Sequence, residues 1–329
     1  MGIRIHQERR NSGRRMNAIL LLAPAVLLDL TLGDPPGWPH PVRALGAAYA
    51  ALDVLADRLG LRTRLFGACC VLVVATAAGA IVSWTTGLPG FGWLLALYFA
   101  YAGLAMGELL RQGRRAARLL NANDIETARP VVAGLVSRDV SGLDASGLWR
   151  ALAESVAENA NDAYVAPLFW LVLGGPGVLW AYKAVSTVDS MWGYRTDRYD
   201  RLGWFGARAD DVLAWLPARI TALAMVVAAR SMGIGRDVVL HDIAADAKKS
   251  ASPNAGWPMA AAAWLCGGTM GGAAVYFGKS VEKPRLGPHS GGWDAKRFAV
   301  LHRLIMLTGF MVAAVTIFSY GMVYLFVAW

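Results

Sequence analysis

Cysteine is scarce in this 329-residue sequence: only Cys69, Cys70 and Cys266 occur, each inside an apolar run. That spacing excludes a disulfide framework and a Cys/His zinc site, and the three read as small core residues. No repeat of fixed period and no low-complexity segment is present, which argues against a solenoid or an array. The basic N-terminal tail leads into "AILLLAPAVLLDL", but no small-residue cleavage site follows and Asp29 interrupts the run, so a cleaved secretory leader is not expected.

Charge is scarce too. Only 17% of the residues are charged, and 56% are hydrophobic. Residues 65–107, 250–278 and 304–329 hold 43, 29 and 26 consecutive positions without a charge, against the roughly 20 apolar residues a spanning helix needs. The fold class expected is all-α: a polytopic integral membrane protein of about five spanning helices, with re-entrant or broken segments and a cytoplasmic helical insert. One membrane domain over 1–329 is the simplest organisation, with a basic tail at 1–16 and the insert at 119–162.

Arginines at 58, 62 and 64 and the "RQGRRAAR" stretch at 111–118 flank two apolar runs joined by "TTGLPG", so the positive-inside rule makes them a hairpin with both ends cytoplasmic. If the N-terminal tail is cytoplasmic too, residues 17–33 cannot cross once: either that segment is a re-entrant, partly buried element, the expected case, or the tail breaks the rule. The "GGPG" at 174–177 cuts the uncharged run 163–182 into two short halves, as a broken helix would require. The run at 257–278 is long enough to cross but basic on both flanks, which leaves its orientation open. The final span starts at Arg303.

A formal net charge of +9 invites a nucleic-acid reading. Five of the arginines, however, lie in the N-terminal tail and others border apolar runs. The basicity therefore points to orientation and contact with the lipid bilayer, with no nucleic-acid partner.

Against this background the charges near apolar segments stand out. In "ESVAENANDAYVAPLFW", Glu154, Glu158 and Asp162 fall four apart on one helix face, where like charges repel, with Asn159 and Asn161 beside them. A solvated helix face is one reading; the other is a magnesium site, since that ion takes one or two carboxylates plus water and phosphate oxygens. "YKAVSTVDSMWGYR" carries Lys183 and Asp189 in an apolar segment, followed by Arg195, and such groups pair with each other or with a ligand. "SPNAGWPM" is a turn in which Ser252 or Asn254 caps a helix or faces a ligand. "GAAVYFGKS" only imitates a phosphate-binding P-loop: five residues separate Gly272 from Gly278 where the motif needs four, and the intervening side chains are bulky.

Taken together, "LLDLTLGDPPGWPHPVRALG", "SRDVSGLD", "ESVAENANDAYVAPLFW", "YKAVSTVDSMWGYR", "GWFGARADDVLAWLPAR", "SPNAGWPMA" and "YFGKSVEKPRLG" resemble the CobD/CbiB family of cobalamin biosynthesis over about residues 20–310. Ser186 stands where the family pattern has an asparagine, and "ENANDA" where it has "ENTVDG". The resemblance implies a cytoplasmic-membrane enzyme, adenosylcobinamide-phosphate synthase. It would join aminopropanol or aminopropanol phosphate by an amide bond to a propionate of the corrinoid adenosylcobyric acid, with ATP as activator and Mg2+ on its phosphates. A homo-oligomer and contact with other cobalamin enzymes are compatible with that role.

Uphill amide formation in water needs an activated acyl group, cations for the phosphates and a base for the incoming ammonium. On this reading Glu154, Glu158 and Asp162 take the metal. Lys183, Arg43, Arg138 and Arg195 hold phosphate and carboxylate oxygens, with Asn159, Ser252 and Asn254 as further polar contacts. Asp34 or Asp189 serves as base or second metal ligand, and His40 either accepts a proton or makes a structural hydrogen bond. Two other readings use the same residues: a transporter for a corrinoid or anionic solute, and a non-catalytic scaffold for cobalamin pathway enzymes.

Overall fold

The computed structural model describes residues 21–35 and 37–328. The basic tail at 1–16 and positions 17–20 lie outside the described residues. The chain folds as helices α1 (Leu21–Leu32), α2 (Pro41–Leu59), α3 (Arg64–Thr86), α4 (Gly92–Ala102), α5 (Met106–Asn121), α6 (Ile125–Ala133) and α7 (Ala145–Ala160). A π turn at Asn161–Val165 leads into α8 (Ala166–Trp192), α9 (Trp204–Leu213), α10 (Trp215–Ser231), α11 (Leu240–Ala247) and α12 (Gly256–Cys266). An antiparallel hairpin of β1 (Met270–Tyr276) and β2 (Lys279–Leu286) precedes α13 (Ala295–Ala328).

Four of these helical stretches are long and apolar enough to cross a bilayer, and a fifth if α9 and α10, bent by 45°, count as one span. The polytopic helical class follows from them. α3 shows why composition identified it. Leu65, Val73, Ile81 and Trp84 are 59% to 76% exposed, which only a hydrocarbon surround makes favourable for so many large apolar side chains. The "TTGLPG" turn separates α3 from α4 as the sequence indicates. Over its described residues, Leu21–Leu32, α1 rises about 18 Å. Within α8 the break falls at Gly175, φ 74° and ψ −171°, directly before Pro176, because proline lacks the N–H and clashes with the preceding turn.

The apolar run at 257–278 does not cross. α12 stops after 11 residues at Gly267, φ 70°, and the chain then turns into the hairpin. The hairpin loop itself is Phe277–Gly278, with φ of 50° and 75°, the positive pair that a tight two-residue turn between twisted strands requires. The false P-loop is thus a strand pair.

The chain divides into two compact units, residues 1–105, 167–213 and 313–329 in the first and 106–166 and 214–312 in the second. In the first, Tyr49, Ala56, Cys70, Val71, Val185, Val188, Trp192 and Leu202 form one core, with Tyr49 and Trp192 edge to face at 5.2 Å. α3 and α8 pass closely there: a Cβ on Gly177 would lie 2.0 Å from Ser83 Oγ, so the small residue sets the approach. In the second unit α7 is the central element. Leu148, Leu152 and Val156, four apart on one face, are fully buried, against α5 on one side and α12 on another.

Candidate functional site

The chemistry-bearing residues of the second unit gather where α7 meets the root of the hairpin. The local cause is a bulge. The pairing of β1 with β2 shifts between Met270 and Gly272, and Gly271 adopts φ 88°, a conformation that suits glycine. A Cβ at Gly271 would lie 2.0 Å from Pro284 O. The irregularity turns the Gly271 N–H out of the ladder, and it donates instead to Glu154 Oε1 at 2.7 Å. The other oxygen of Glu154, a residue only 3% exposed, accepts from the buried Arg138 guanidinium. Arg138 is held in place by its neighbour: Asp139 N–H donates to Val275 O at 2.9 Å, adding a bridge to the free side of β1.

A second buried carboxylate repeats this arrangement at the end of β2. Asp246, 5% exposed, accepts from Lys249 Nζ at 2.6 Å on one oxygen, and from Gly287 N–H at 2.7 Å and Trp264 Nε1 at 2.8 Å on the other. Gly287 also has positive φ, 89°. Burial raises the Asp246 carboxyl, but the hydrogen bonds from Lys249, Gly287 and Trp264 outweigh it and hold the group below the usual carboxylate range. Nothing in "ADAKKS" distinguishes Asp246 from a surface helix residue, so sequence reasoning passed over it. Its partners at 264 and 287 become neighbours only in the fold.

Glu158 follows on the same face, within electrostatic reach of Lys283, Glu154 and Arg138. Asn159 turns back along its own helix and donates to Ser155 O at 2.9 Å and Ser155 Oγ at 3.2 Å. Asp162 sits in the π turn, where Asn161 Nδ2 donates to its Oδ1 at 2.7 Å while Thr221 Oγ donates to Asn161 Oδ1 at 3.1 Å. Among the described residues no group of three or more His, Cys, Asp or Glu side chains is arranged to hold a metal ion. A resident metal across Glu154, Glu158 and Asp162 therefore does not fit: Glu154 is committed to Arg138 and Gly271, and Asp162 to the π turn. Ser252 Oγ accepts from Asn254 N–H at 3.3 Å and Ala255 N–H at 3.2 Å, which makes it a turn cap ahead of α12, with Asn254 buried beside it.

The first unit holds the remaining candidates. Asp34, His40 and Arg43 line one cavity of about 240 Å³ together with Trp38, Tyr98 and Tyr101. His40 Nδ1 accepts from Val42 N–H at 3.3 Å and so caps α2, while Nε2 lies 3.5 Å from Asp34 Oδ1. Nε2 is buried and makes no hydrogen bond to a described residue. Lys183 and Asp189 lie on α8, six residues apart and so about 120° apart around the helix; the Asp189 carbonyl accepts from Gly193 N–H at 2.7 Å. Arg195 is exposed beyond the helix end, with its charge reaching Asp211.

An integral membrane fold of four or five apolar spans, carrying a buried ion-paired carboxylate at the root of a clamped hairpin, defines the class. The family model described as "CobD/Cbib protein" matches residues 22–305, and the chain belongs to that family. It is 39% identical over 308 residues to the "Cobalamin biosynthesis protein CobD" of Pelobacter propionicus, covering 90% of this chain and 94% of the relative. The protein of the same name from Geobacter metallireducens is 39% identical over 268 residues, with 80% and 84% coverage. The "Cobalamin biosynthesis protein CbiB" of Salmonella typhi is 34% identical over 307 residues, with 91% and 96% coverage. No solved structure matches the chain.

Proposed function

We propose that this chain is the amide-forming enzyme of cobalamin biosynthesis, joining aminopropanol or its phosphate to a propionate of adenosylcobyric acid at the cytoplasmic membrane. Membership of the CobD/Cbib family across residues 22–305 carries the reading. The chemistry has two steps. A propionate oxygen attacks the terminal phosphorus of ATP, the bond to the bridging oxygen breaks and ADP leaves. The amine nitrogen then attacks the acyl carbon, phosphate departs with the C–O electron pair, and a base takes the proton from nitrogen.

Glu158 is the carboxylate suited to the base. It makes no hydrogen bond or ion pair to another described residue, whereas Glu154 and Asp162 are engaged. Glu154 acts as a positioning residue that fixes Arg138 and the Gly271 loop. Mg2+ belongs to this reaction as the counter-ion of the nucleotide's phosphates and not as an ion held in a protein cage.

Purified protein in detergent, given adenosylcobyric acid, aminopropanol phosphate, ATP and Mg2+, is expected to yield a new amide by mass spectrometry. Glu158→Gln is expected to abolish it without lowering the melting temperature. A folded wild type that forms no amide, or a Glu158→Gln variant with full turnover, would overturn the respective claim.

A further inference from the structure

The second unit has a cavity of about 460 Å³ that none of the residues discussed so far as catalytic lines directly. It is lined by the N-terminal end of α7 and its cap (Asp144, Ser146, Gly147, Arg150), by Gly271 and Arg285 of the hairpin, and by His289, Gly291, Gly292 and Trp293 after it. Its shape is knit by short bonds. Trp293 Nε1 donates to Thr269 O at 2.9 Å, Thr269 Oγ donates to Pro288 O at 2.5 Å, and Thr269 N–H donates to Gly291 O at 2.8 Å. Small residues are required: a Cβ at Gly268 would lie 2.5 Å from the Trp293 ring and one at Gly291 2.3 Å from Gly267 O.

Two guanidiniums converge here. Arg150 Nη1 lies 3.4 Å and Arg285 Nε 3.9 Å from the position a Cβ would take on Gly272. Neither arginine is in an ion pair with a described residue. Arg150 donates from Nη2 to Ala273 O at 3.3 Å, while its buried Nε has no hydrogen-bond partner among the described residues. Glu282 Oε1 is 4.0 Å from the same Cβ position, and Asp144, the only carboxylate in the lining, is occupied as the cap of α7, accepting from Gly147 N–H at 2.8 Å. Both guanidiniums thus approach the Gly272 position, and they share the cavity lining with an imidazole and the positive end of a 16-residue helix.

We propose that this cavity binds a phosphate group. A carboxylate has two coplanar oxygens, which one guanidinium fork satisfies. Donors on α7, on β2 and on the 287–293 loop come from three directions, which suits an oxyanion with three terminal oxygens. The glycine-lined walls let backbone come close to such a group, as in other phosphate sites. Glu154 and Asp246, by gripping Gly271 and Gly287, keep the rim in shape. The inference rests on the amide-synthase reading only for the choice of compounds to try: ATP, or the phosphorylated amine.

The test is direct binding to the full-length protein in detergent, by calorimetry, with inorganic phosphate, ATP, aminopropanol phosphate and acetate as separate titrants. Phosphate compounds are expected to bind and acetate not. Arg150→Gln and Arg285→Gln are expected to weaken the binding roughly 10- to 100-fold, the matching lysine variants less, and the exposed control Arg118→Gln not at all. Thermal melts establish that each variant is folded. Loss confined to ATP, or shared by aminopropanol phosphate, identifies the source of the phosphate and supports the site either way. Wild-type affinity in both glutamine variants, equal binding of acetate, or no phosphate binding to folded wild type would overturn it. Turnover is not read in these titrations, so an inactive protein that binds phosphate through Arg150 and Arg285 would sink the amide-synthase reading and leave the site standing.

Discussion

The two units use the same residue types in opposite ways. In the first, Asp53 and Asp57 meet Arg62 and Arg198 in a cluster near the surface, with Asp57 and Arg198 about half exposed and Tyr199 alongside. In the second, Glu154 and Asp246 are buried, and each carries a cation on one oxygen and a glycine N–H on the other. An exposed pair exchanges protein partners for water at little net gain, whereas a buried one is committed to its neighbours. The difference separates charges that decorate a helix bundle from charges that hold backbone in place. The held backbone is the rim of the arginine-lined cavity.

Removing one member of the buried pair breaks this comparison most sharply. Glu154→Leu leaves Arg138 buried without its counter-charge and Gly271 N–H without its acceptor, a loss of about 3–5 kcal/mol, read as a lower melting temperature and lost amide formation. Adding Arg138→Met should restore most of the stability, because the uncompensated charge is gone. Asp246→Asn, which keeps the shape but weakens the bonds from Lys249, Gly287 and Trp264, should cost about 1–3 kcal/mol in the same melts.

Acid sharpens the contrast. Because the folded Asp246 carboxyl lies below its unfolded value, the unfolded chain binds more protons in the acidic range, and stability rises with pH there. The contribution is complete above the unfolded carboxylate range and is lost as pH falls through the folded value. Melting temperatures of wild type and Asp246→Asn should therefore converge on acidification. Arg198→Gln in the first unit is expected to have the smallest effect, with a melting temperature close to wild type at moderate salt. A large loss there would remove the distinction between the units.

The sequence displayed the membrane architecture because hydrophobic spans, the "TTGLPG" turn and the "GGPG" break are local signals. α3, the Gly175–Pro176 interruption and the last helix all follow from them. The hairpin was concealed because "MGGAAVY" is apolar enough to extend the preceding run, and only the Phe277–Gly278 pair and the charged "KSVEKPRL" after it betray a turn. "ESVAENANDAY" draws attention to α7, but its register suggests three equivalent carboxylates. The partner that sets Glu154 apart is 117 residues away, and the π turn gives Asp162 a different environment. Arg150, Arg285 and His289 carried no local signal, since they are distant in sequence and meet in one cavity lining only in the fold.

The most direct test of the claim that buried carboxylates clamp the cavity rim is backbone hydrogen exchange on the Glu154→Leu, Arg138→Met double variant in detergent. The account predicts faster exchange at Gly271 and its neighbours, with Ser280 and Val281 in the outer hairpin unchanged from wild type. Unaltered protection at Gly271, together with a Mg2+-dependent rise in melting temperature that wild type shows and the variant lacks, would place a metal on Glu154 and contradict it.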